Sequence, residues 1–597
     1  MKTHRHLFFL MALTALVAVA VIPFSSCGKG YQASLGIRLV NAPGTLTINQ
    51  TVSLTATVEN DSSNAGVDWS CTGSGGCGTF NPAHTASGGT TVFTAPASPD
   101  TVTITAAAAA NSNVKATAVI SIVPIGSNSM LNGRYVFSVG GVDSNGSYTA
   151  SGTIVADGNG SITGGEQDYA DESIQAGPDA VTGSYSIGPD GRGSITLDVS
   201  NTNLPHNGVE TFSIAVTSAT HALIIQFDGT ATSSGTLDFQ AASAVDPNAI
   251  SGAFAFTAQG IDIGNQVPIG YGGVLLMSAS SGSIVSGTFF ENDGGSTFTS
   301  SLAGSLTAPD TFGRGTLALS VGVHFAYYAV QGQVLRLVGQ DLPSVMTGGS
   351  MYGQGAAGAN ATFSNASLSG NHVLCEAGGS SFGPLVVAGQ FSADGAGNLT
   401  AGVADTNNAG TATFGSIVLQ AAYSIAGDGS GTLTLPATVD SLGSVSSLLI
   451  FAVDPAINLC DPNSASGGGG ALVMDYDGNA VASGFIVPQS SAPFDGNYAV
   501  NLQFVGNGGE NDWVGQSVAA SGALSGTVDI NDYGATSAGV SLTGTFAADA
   551  VNIGRWTGSF TVNTTNHLIS YYQVSGTLFV IIDTDSADIG VGIMEME

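Results

Sequence analysis

One phrase, written four times, decides the fold: Leu131-Asn132-Gly133-Arg134-Tyr135, Ile250-Ser251-Gly252-Ala253-Phe254, Leu368-Ser369-Gly370-Asn371-His372 and Phe494-Asp495-Gly496-Asn497-Tyr498. From glycine to glycine the steps are 119, 118 and 126 residues, so each copy is long enough to be a domain. Within the first copy, strands are expected to start near Gly133, Ser147, Gly160, Thr182, Gly193, Glu210, Ala222 and Gly235. Tyr135, Phe137 and Val139 alternate with Arg134, Val136 and Ser138. Leu223, Ile225 and Phe227 alternate with Ile224 and Gln226, which makes one face strongly apolar and the other mixed. Asp157-Gly158-Asn159-Gly160 and Pro189-Asp190-Gly191 read as hairpin turns, because Gly and Asn accept positive φ cheaply.

The later copies keep this grammar. Gly191-Arg192-Gly193 corresponds to Gly313-Arg314-Gly315 and Gly554-Arg555-Trp556, while the third copy has Gly429-Ser430-Gly431. Eight short antiparallel strands joined by tight turns suit an up-and-down barrel, since closure removes both edge strands. A two-sheet sandwich is the alternative. The opening phrase, with Tyr135, Phe254, His372 and Tyr498 where Trp is usual, loosely resembles the start of lipocalin- and avidin-like barrels. That resemblance implies a small ligand held inside each barrel.

Residues 35–124 read as a different unit. Val52, Leu54, Ala56 and Val58 share one face of a strand, followed by Val67-Asp-Trp69-Ser, Thr91-Val-Phe93-Thr-Ala-Pro96 and Val102-Thr-Ile104-Thr. Short strands at this spacing describe a small sandwich with Trp69 as its core anchor. These segments resemble bacterial Ig-like domains of the group 2 type, which implies a spacer or adhesion module.

Residues 1–26 read as a secretory signal: Lys2 and Arg5 precede an apolar run from Leu7 to Val21. The run ends in Phe24-Ser25-Ser26-Cys27-Gly28, which resembles a bacterial lipobox. The resemblance implies lipidation of Cys27, export, and attachment to the cell envelope at the outer membrane or cell surface. Setting Cys27 aside leaves four of the five cysteines. Cys71 with Cys77, and Cys375 with Cys460, are expected as two disulfides; a zinc site is the alternative.

The whole chain has a formal charge of −32 with only 9% charged residues, and Gly numbers 85 of 597. Removing Lys2 and Arg5 with the leader takes the charge to −34. Such a field opposes nucleic acid, and the Val/Ile/Leu/Phe alternation opposes disorder. It admits divalent cations.

Catalytic signals are weak. Gly379-Ser-Ser381-Phe-Gly383 spells G-x-S-x-G, but a nucleophile elbow needs a helix after it, and here Pro384 and Leu385-Val-Val follow. The histidines His84, His206, His221, His324, His372 and His567 are scattered, with His221 and His567 near turns before apolar strands, which suggests surface or edge positions. No metal ligand set is expected. Calcium is the one cofactor the oxygen-rich turns at Asp157, Asp394 and Asp475-Tyr-Asp477 admit, although none completes an EF-hand loop. Arg192, Arg314 and Arg555 are expected to pin a neighbouring acid or carbonyl at the barrel rim, Gly133 to open a strand, and Tyr135 to fill the core.

The sequence therefore predicts an all-β chain divided into a leader (1–26), a tether (27–34), an Ig-like sandwich (35–124) and four repeats (130–245, 249–358, 366–490, 493–597). The expected role is a non-enzymatic envelope protein that is structural, adhesive or binding. Its partners would be the membrane, reached through lipid, and an extracellular or envelope ligand of unknown identity. Trp513 and Trp556 are candidate platforms for a sugar if they are exposed.

Overall fold

The structure is a computed structural model. It describes residues 35–597 except 41, 44, 74–75, 97–99, 124–125, 279–281, 417–421, 436–446, 465 and 507–508; Cys27 and the leader lie outside the described residues. The chain is nearly all β.

Residues 35–123 form two facing sheets. Trp69 is buried between them with Leu54, Phe93 and Ile104, and its indole N–H donates to Thr85 Oγ1 at 3.0 Å. Cys71 and Cys77 are joined as a disulfide.

Four units of barrel form follow; among the described residues the first and fourth are closed barrels, and the second and third are nine-stranded sheets rolled to the same plan. The first has eight strands: Asn132–Asp143, Gly146–Asp157, Ser161–Asp171, Gln175–Ile187, Arg192–Val199, Val209–Ser218, His221–Gln226 and Ala231–Phe239. Each pairs antiparallel with the next, and the last returns to the first from Tyr135↔Phe239 to Asp143↔Ala231. The fourth barrel closes in the same way, from Gly496–Gly506 round to Asp588–Met596. In the second, the first strand Gly252–Asp262 pairs with the last, Val345–Gly353, and the fourth strand is broken into Ser296–Ser301 and Gly304–Leu306. In the third, Ser369–Ser380 pairs with Ala480–Pro488, and the wall runs round to Thr411–Ser416 on one side and Ala422–Ile425 on the other.

The repeated phrase has a physical cause. Gly133, Gly252, Gly370 and Gly496 all have positive φ, between 93° and 136°, a backbone state that side chains rarely adopt. The aromatic two residues later turns inward. Tyr135, Phe254, His372 and Tyr498 are at most 3% exposed, and the Tyr135 hydroxyl donates to the carbonyl of Ala219 at 2.8 Å. Each interior is filled by its own apolar cluster, with Phe137, Ile154 and Phe212 in the first barrel and Phe504, Trp513 and Phe560 in the fourth.

The seventh strand of every barrel departs from the expected one-sided pattern. His221–Gln226, Val334–Gly339, Ala471–Asp475 and Leu578–Asp583 are buried on both faces. In the first barrel Ala222 and Ile224 face the interior, while Leu223 and Ile225 pack against Ala499 and Val514 of the fourth. The barrels are therefore not beads on a string. Their outer walls share a core in which Val136, Ala255, Val373 and Val580, one from each barrel, belong to a single apolar cluster.

Four seams close this arrangement into a ring. Arg314 of the second barrel forks onto Asp168 of the first (Nε 2.6 Å, NH2 2.9 Å), where Tyr328 also donates at 2.7 Å. Arg555 of the fourth repeats this on Asp405 of the third (2.8 and 2.9 Å), with Tyr572 at 2.6 Å. Arg192 of the first bonds Asp529 of the fourth at 3.1 Å, with Ser213 at 2.6 Å, which joins the ends of the array. Between the second and third barrels the seam is apolar: Ser430 stands at the arginine position, and Phe290 packs on Phe451 with ring centroids 5.7 Å apart.

Two further devices recur around the ring. Asn292, Asn407 and Asn531 each donate their amide to backbone carbonyls in the last hairpin of the next barrel. Gln240, Gln354 and Gln489, each just beyond its barrel, reach into the turn of the next at Gly313, Gly429 and Gly554. A Cβ on any of these glycines would lie 2.4–2.7 Å from the glutamine nitrogen and displace it, and their φ of 84° to 98° disfavours any side chain there.

Two expectations are corrected. Cys375 and Cys460 are free thiols, not a disulfide. Both sit in the shared apolar core between barrels, where burial pushes the Cys375 thiol up to about 12 and raises Cys460 further. His221 and His567 are buried, at 1% and 5% exposure, instead of lying at the surface.

Removing one partner of a desolvated pair leaves the other charged and unpaired. Asp168→Ala, which takes away the acid that Arg314 forks onto, is expected to cost about 3–5 kcal/mol in urea unfolding, and Asp168→Ala combined with Arg314→Leu to recover most of that loss. A double variant no more stable than the single one would contradict the pairing.

Candidate functional site at the junction of the barrels

Because the barrel interiors are filled, space for a ligand lies between them. A cavity of about 710 Å³ opens where all four barrels meet. Each first strand supplies wall: Gly140 to Val142, Gln259 to Ile261, Ala377 to Ser380, and Gln503 with Val505. The sequence makes room here by using glycine and small residues on outward positions. At Gly140 an added Cβ would meet only the Tyr148 carbonyl oxygen, at 3.9 Å.

The lining is mostly apolar, including Pro268, Ile269, Met346, Leu385 and Val591. Among the described residues its single charged lining residue is Glu510, which is 6% exposed and accepts from Gln503 Nε2 at 2.7 Å. Burial pushes the Glu510 carboxyl up to about 7. Beside it Asp512 is wholly buried and held well above the usual carboxylate range, first by burial and then by Glu510; it accepts from Ser234 of the first barrel at 3.0 Å. The arrangement can accept an apolar body and offer one carboxyl to a donor, and it has no nucleophile–base geometry.

A second junction brings charges from all four barrels together. His221 and Asp238 come from the first, Arg336 and Tyr352 from the second, Asp461 from the third and Glu595 from the fourth. His221 Nδ1 lies 2.7 Å from Asp238 Oδ1 and 4.0 Å from Asp461 Oδ1. Arg336 donates to Asp238 Oδ2 at 2.7 Å and to the Tyr352 hydroxyl at 2.8 Å. Burial would lower the His221 pKa, but Glu595 and Asp238 raise it well above its ordinary value. Burial works against the Asp238 charge, yet Arg336 and His221 hold that carboxyl down to about 2. Burial pushes Asp461 up to about 6.

The other sequence candidates are accounted for locally. Arg192, Arg314 and Arg555 lie in the seams. Asp157 and Asp394 accept the backbone N–H groups of their own turns, as does Asp477 from Asn479. The G-x-S-x-G segment is a hairpin turn followed by the strand Gly383–Asp394, without the helix an elbow needs. Trp513 is 2% exposed inside the fourth barrel and Trp556 is packed against that core, so neither forms an open stacking platform. His567 Nδ1 faces Asp583 at 3.1 Å, with Asp588 and Asp585 at 3.6 and 3.8 Å.

Sequence reading missed the cavity, Glu510 and the charged junction. One signal was available. The seam acids fall three residues after a shared glycine (Gly165–Asp168, Gly402–Asp405, Gly526–Asp529) and the seam asparagines five after it (Gly287–Asn292, Gly402–Asn407, Gly526–Asn531).

No protein-family model matches the chain, and no curated protein matches it in sequence. Among solved structures it is similar to a Trp-176-Ala mutant of transferrin binding protein B from Haemophilus parasuis Hp5. The identity is 8% and the TM-score 0.19, over 78% of this chain and 96% of that one. It is also similar to intact Ap-TbpB with its N and C lobes (8%, TM-score 0.13, over 97% and 98%). A third is FauA, the alcaligin outer membrane receptor from Bordetella pertussis (9%, TM-score 0.12, over 83% and 81%). At these scores the likeness carries no argument about function.

Buried carboxyls with raised pKa values set the pH profile. In the folded chain Glu510 and Glu210 keep their protons to about 7 and Glu376 to about 8, whereas unfolded they ionise near the usual value. The folded form thus binds more protons in this window, so stability is greatest in mild acid and falls as pH rises towards 8. Glu510→Gln is expected to remove part of that fall, on the order of 2 kcal/mol at pH 8, in denaturant titrations run from pH 5 to 8. An unchanged slope would show that Glu510 is already ionised.

Proposed function

We propose that this chain is an exported, lipid-anchored, non-enzymatic binding protein of the cell envelope. In this reading the sandwich is an Ig-like spacer and the ring of barrels is the binding head. The cavity walled by all four barrels carries the reading: a space of this size, lined by apolar groups with one carboxyl, has the usual form of a small-molecule site. The ligand class is an apolar small molecule bearing a hydrogen-bond donor for Glu510. The filled interiors count against a ligand inside each barrel, and the ring replaces an extended stalk of independent modules. Lipid attachment rests on the lipobox-like segment at Cys27.

Two measurements check the proposal. Native mass spectrometry of the full chain from its expression host is expected to show one small molecule per chain. Gly140→Phe, whose ring would project into the cavity, should abolish that adduct and leave the circular dichroism spectrum unchanged. An adduct surviving in the variant, or none in the parent, would overturn the assignment. Separately, labelled fatty acid is expected to enter the parent chain and not Cys27→Ser; equal labelling of both would remove the anchor.

A further inference from the structure

The junction of His221, Asp238 and Asp461 is built like a metal site, and it lies apart from the axial cavity. The Nδ1 atom of His221 and one carboxylate oxygen from each aspartate all lie within 4.8 Å of one another. The His221 side chain is wholly buried, and its other nitrogen, Nε2, faces Glu595 Oε2 at 3.1 Å without a well-aligned hydrogen bond; neither atom has another hydrogen-bond partner among the described residues.

We propose that this junction binds a single divalent transition-metal ion, zinc being the best fit, through His221 Nδ1, Asp238 Oδ1 and Asp461 Oδ1. Tetrahedral zinc with bonds of about 2.0–2.1 Å spaces its ligand atoms about 3.3 Å apart. The observed 2.7 Å would open by about 0.6 Å and the observed 4.0 Å would close by about 0.7 Å, shifts within side-chain reach. The surrounding groups match what such a site needs. Glu595 Oε2, 3.1 Å from Nε2, stands where it can take up the Nε2–H once Nδ1 serves as a ligand, and Arg336 holds the second oxygen of Asp238.

Charge supports the same reading. Three carboxylates face one arginine, so a neutral imidazole leaves the junction at −2, and a protonated one at −1. A divalent ion on neutral His221 brings the sum to zero. Binding releases the imidazole proton, and that of Asp461 where it is protonated, to solvent. Asp461 and Glu595 keep 16% and 13% side-chain exposure, which leaves an entry path beside a wholly buried histidine. Since the ligands come from the first and third barrels and their supports from the second and fourth, the ion would lock the ring.

The test uses the full chain, stripped with chelator and titrated with Zn²⁺ and, as a spectroscopic probe, Co²⁺. The expected result is one ion per chain, a rise in Tm on adding Zn²⁺, and visible Co²⁺ ligand-field bands. His221→Gln and Asp461→Asn should each weaken binding at least tenfold, while His567→Gln, at the other histidine–carboxylate cluster, should leave it intact. Asp461→Asn alters a partly exposed group, so it decides the matter if His221→Gln fails to fold. Absence of binding by the parent chain at micromolar Zn²⁺, binding that survives Asp461→Asn, or binding lost only in His567→Gln would each overturn the assignment.

Discussion

The structure depends on buried side-chain pairing between barrels, of which the Arg–Asp fork is the clearest form. A single eight-stranded barrel of this size closes its own hydrogen bonds and needs no neighbour to satisfy its backbone. What it cannot do alone is cover the outer face of its seventh strand. Leu223, Ile225 and their counterparts would be left in water, and the ring exists because these faces bury one another.

An apolar face is not particular about its partner, and the polar seams supply the selectivity. Arg314 and Arg555, each beside a tyrosine of its own barrel, meet an acid on the adjoining barrel, and a barrel brought to the wrong neighbour would bury a guanidinium without that carboxylate. The second and third barrels show the same logic in reverse. Ser430 replaces the arginine, Phe290 replaces the acid and Phe451 replaces the tyrosine, so all three members of the polar set change together. A charged seam there would meet aromatic rings. Assembly order is thus written into side chains that contribute modestly to net stability and strongly to which wall meets which.

Much of the fold was legible in the sequence. The fourfold Gly-x-aromatic phrase announced four equal units because each glycine must adopt positive φ and each aromatic must fill a core. Asp-Gly and Asn-Gly turns announced hairpins, and Trp69 announced the sandwich. The association of the barrels was not legible. Alternation along His221–Gln226 was read as one buried and one mixed face, since a two-residue period cannot distinguish water from a neighbouring barrel. For the same reason His221 was placed at an edge and Cys375 in a disulfide, when both belong to the shared interior. The site suffered most, because the cavity joins residues as far apart as Ser138 and Val591, and the charged junction residues as far apart as His221 and Glu595, that no local motif connects.

Closure of the ring is the claim on which the cavity, the charged junction and the four seams all rest. Small-angle scattering from the barrel region, residues 126–597, measures it most directly. A compact ring of this length should give a radius of gyration of about 23 Å, whereas four independent barrels in a row would give about 40 Å. A value near the first, unchanged between low and high salt, is the expected result; a value near the second would contradict the ring.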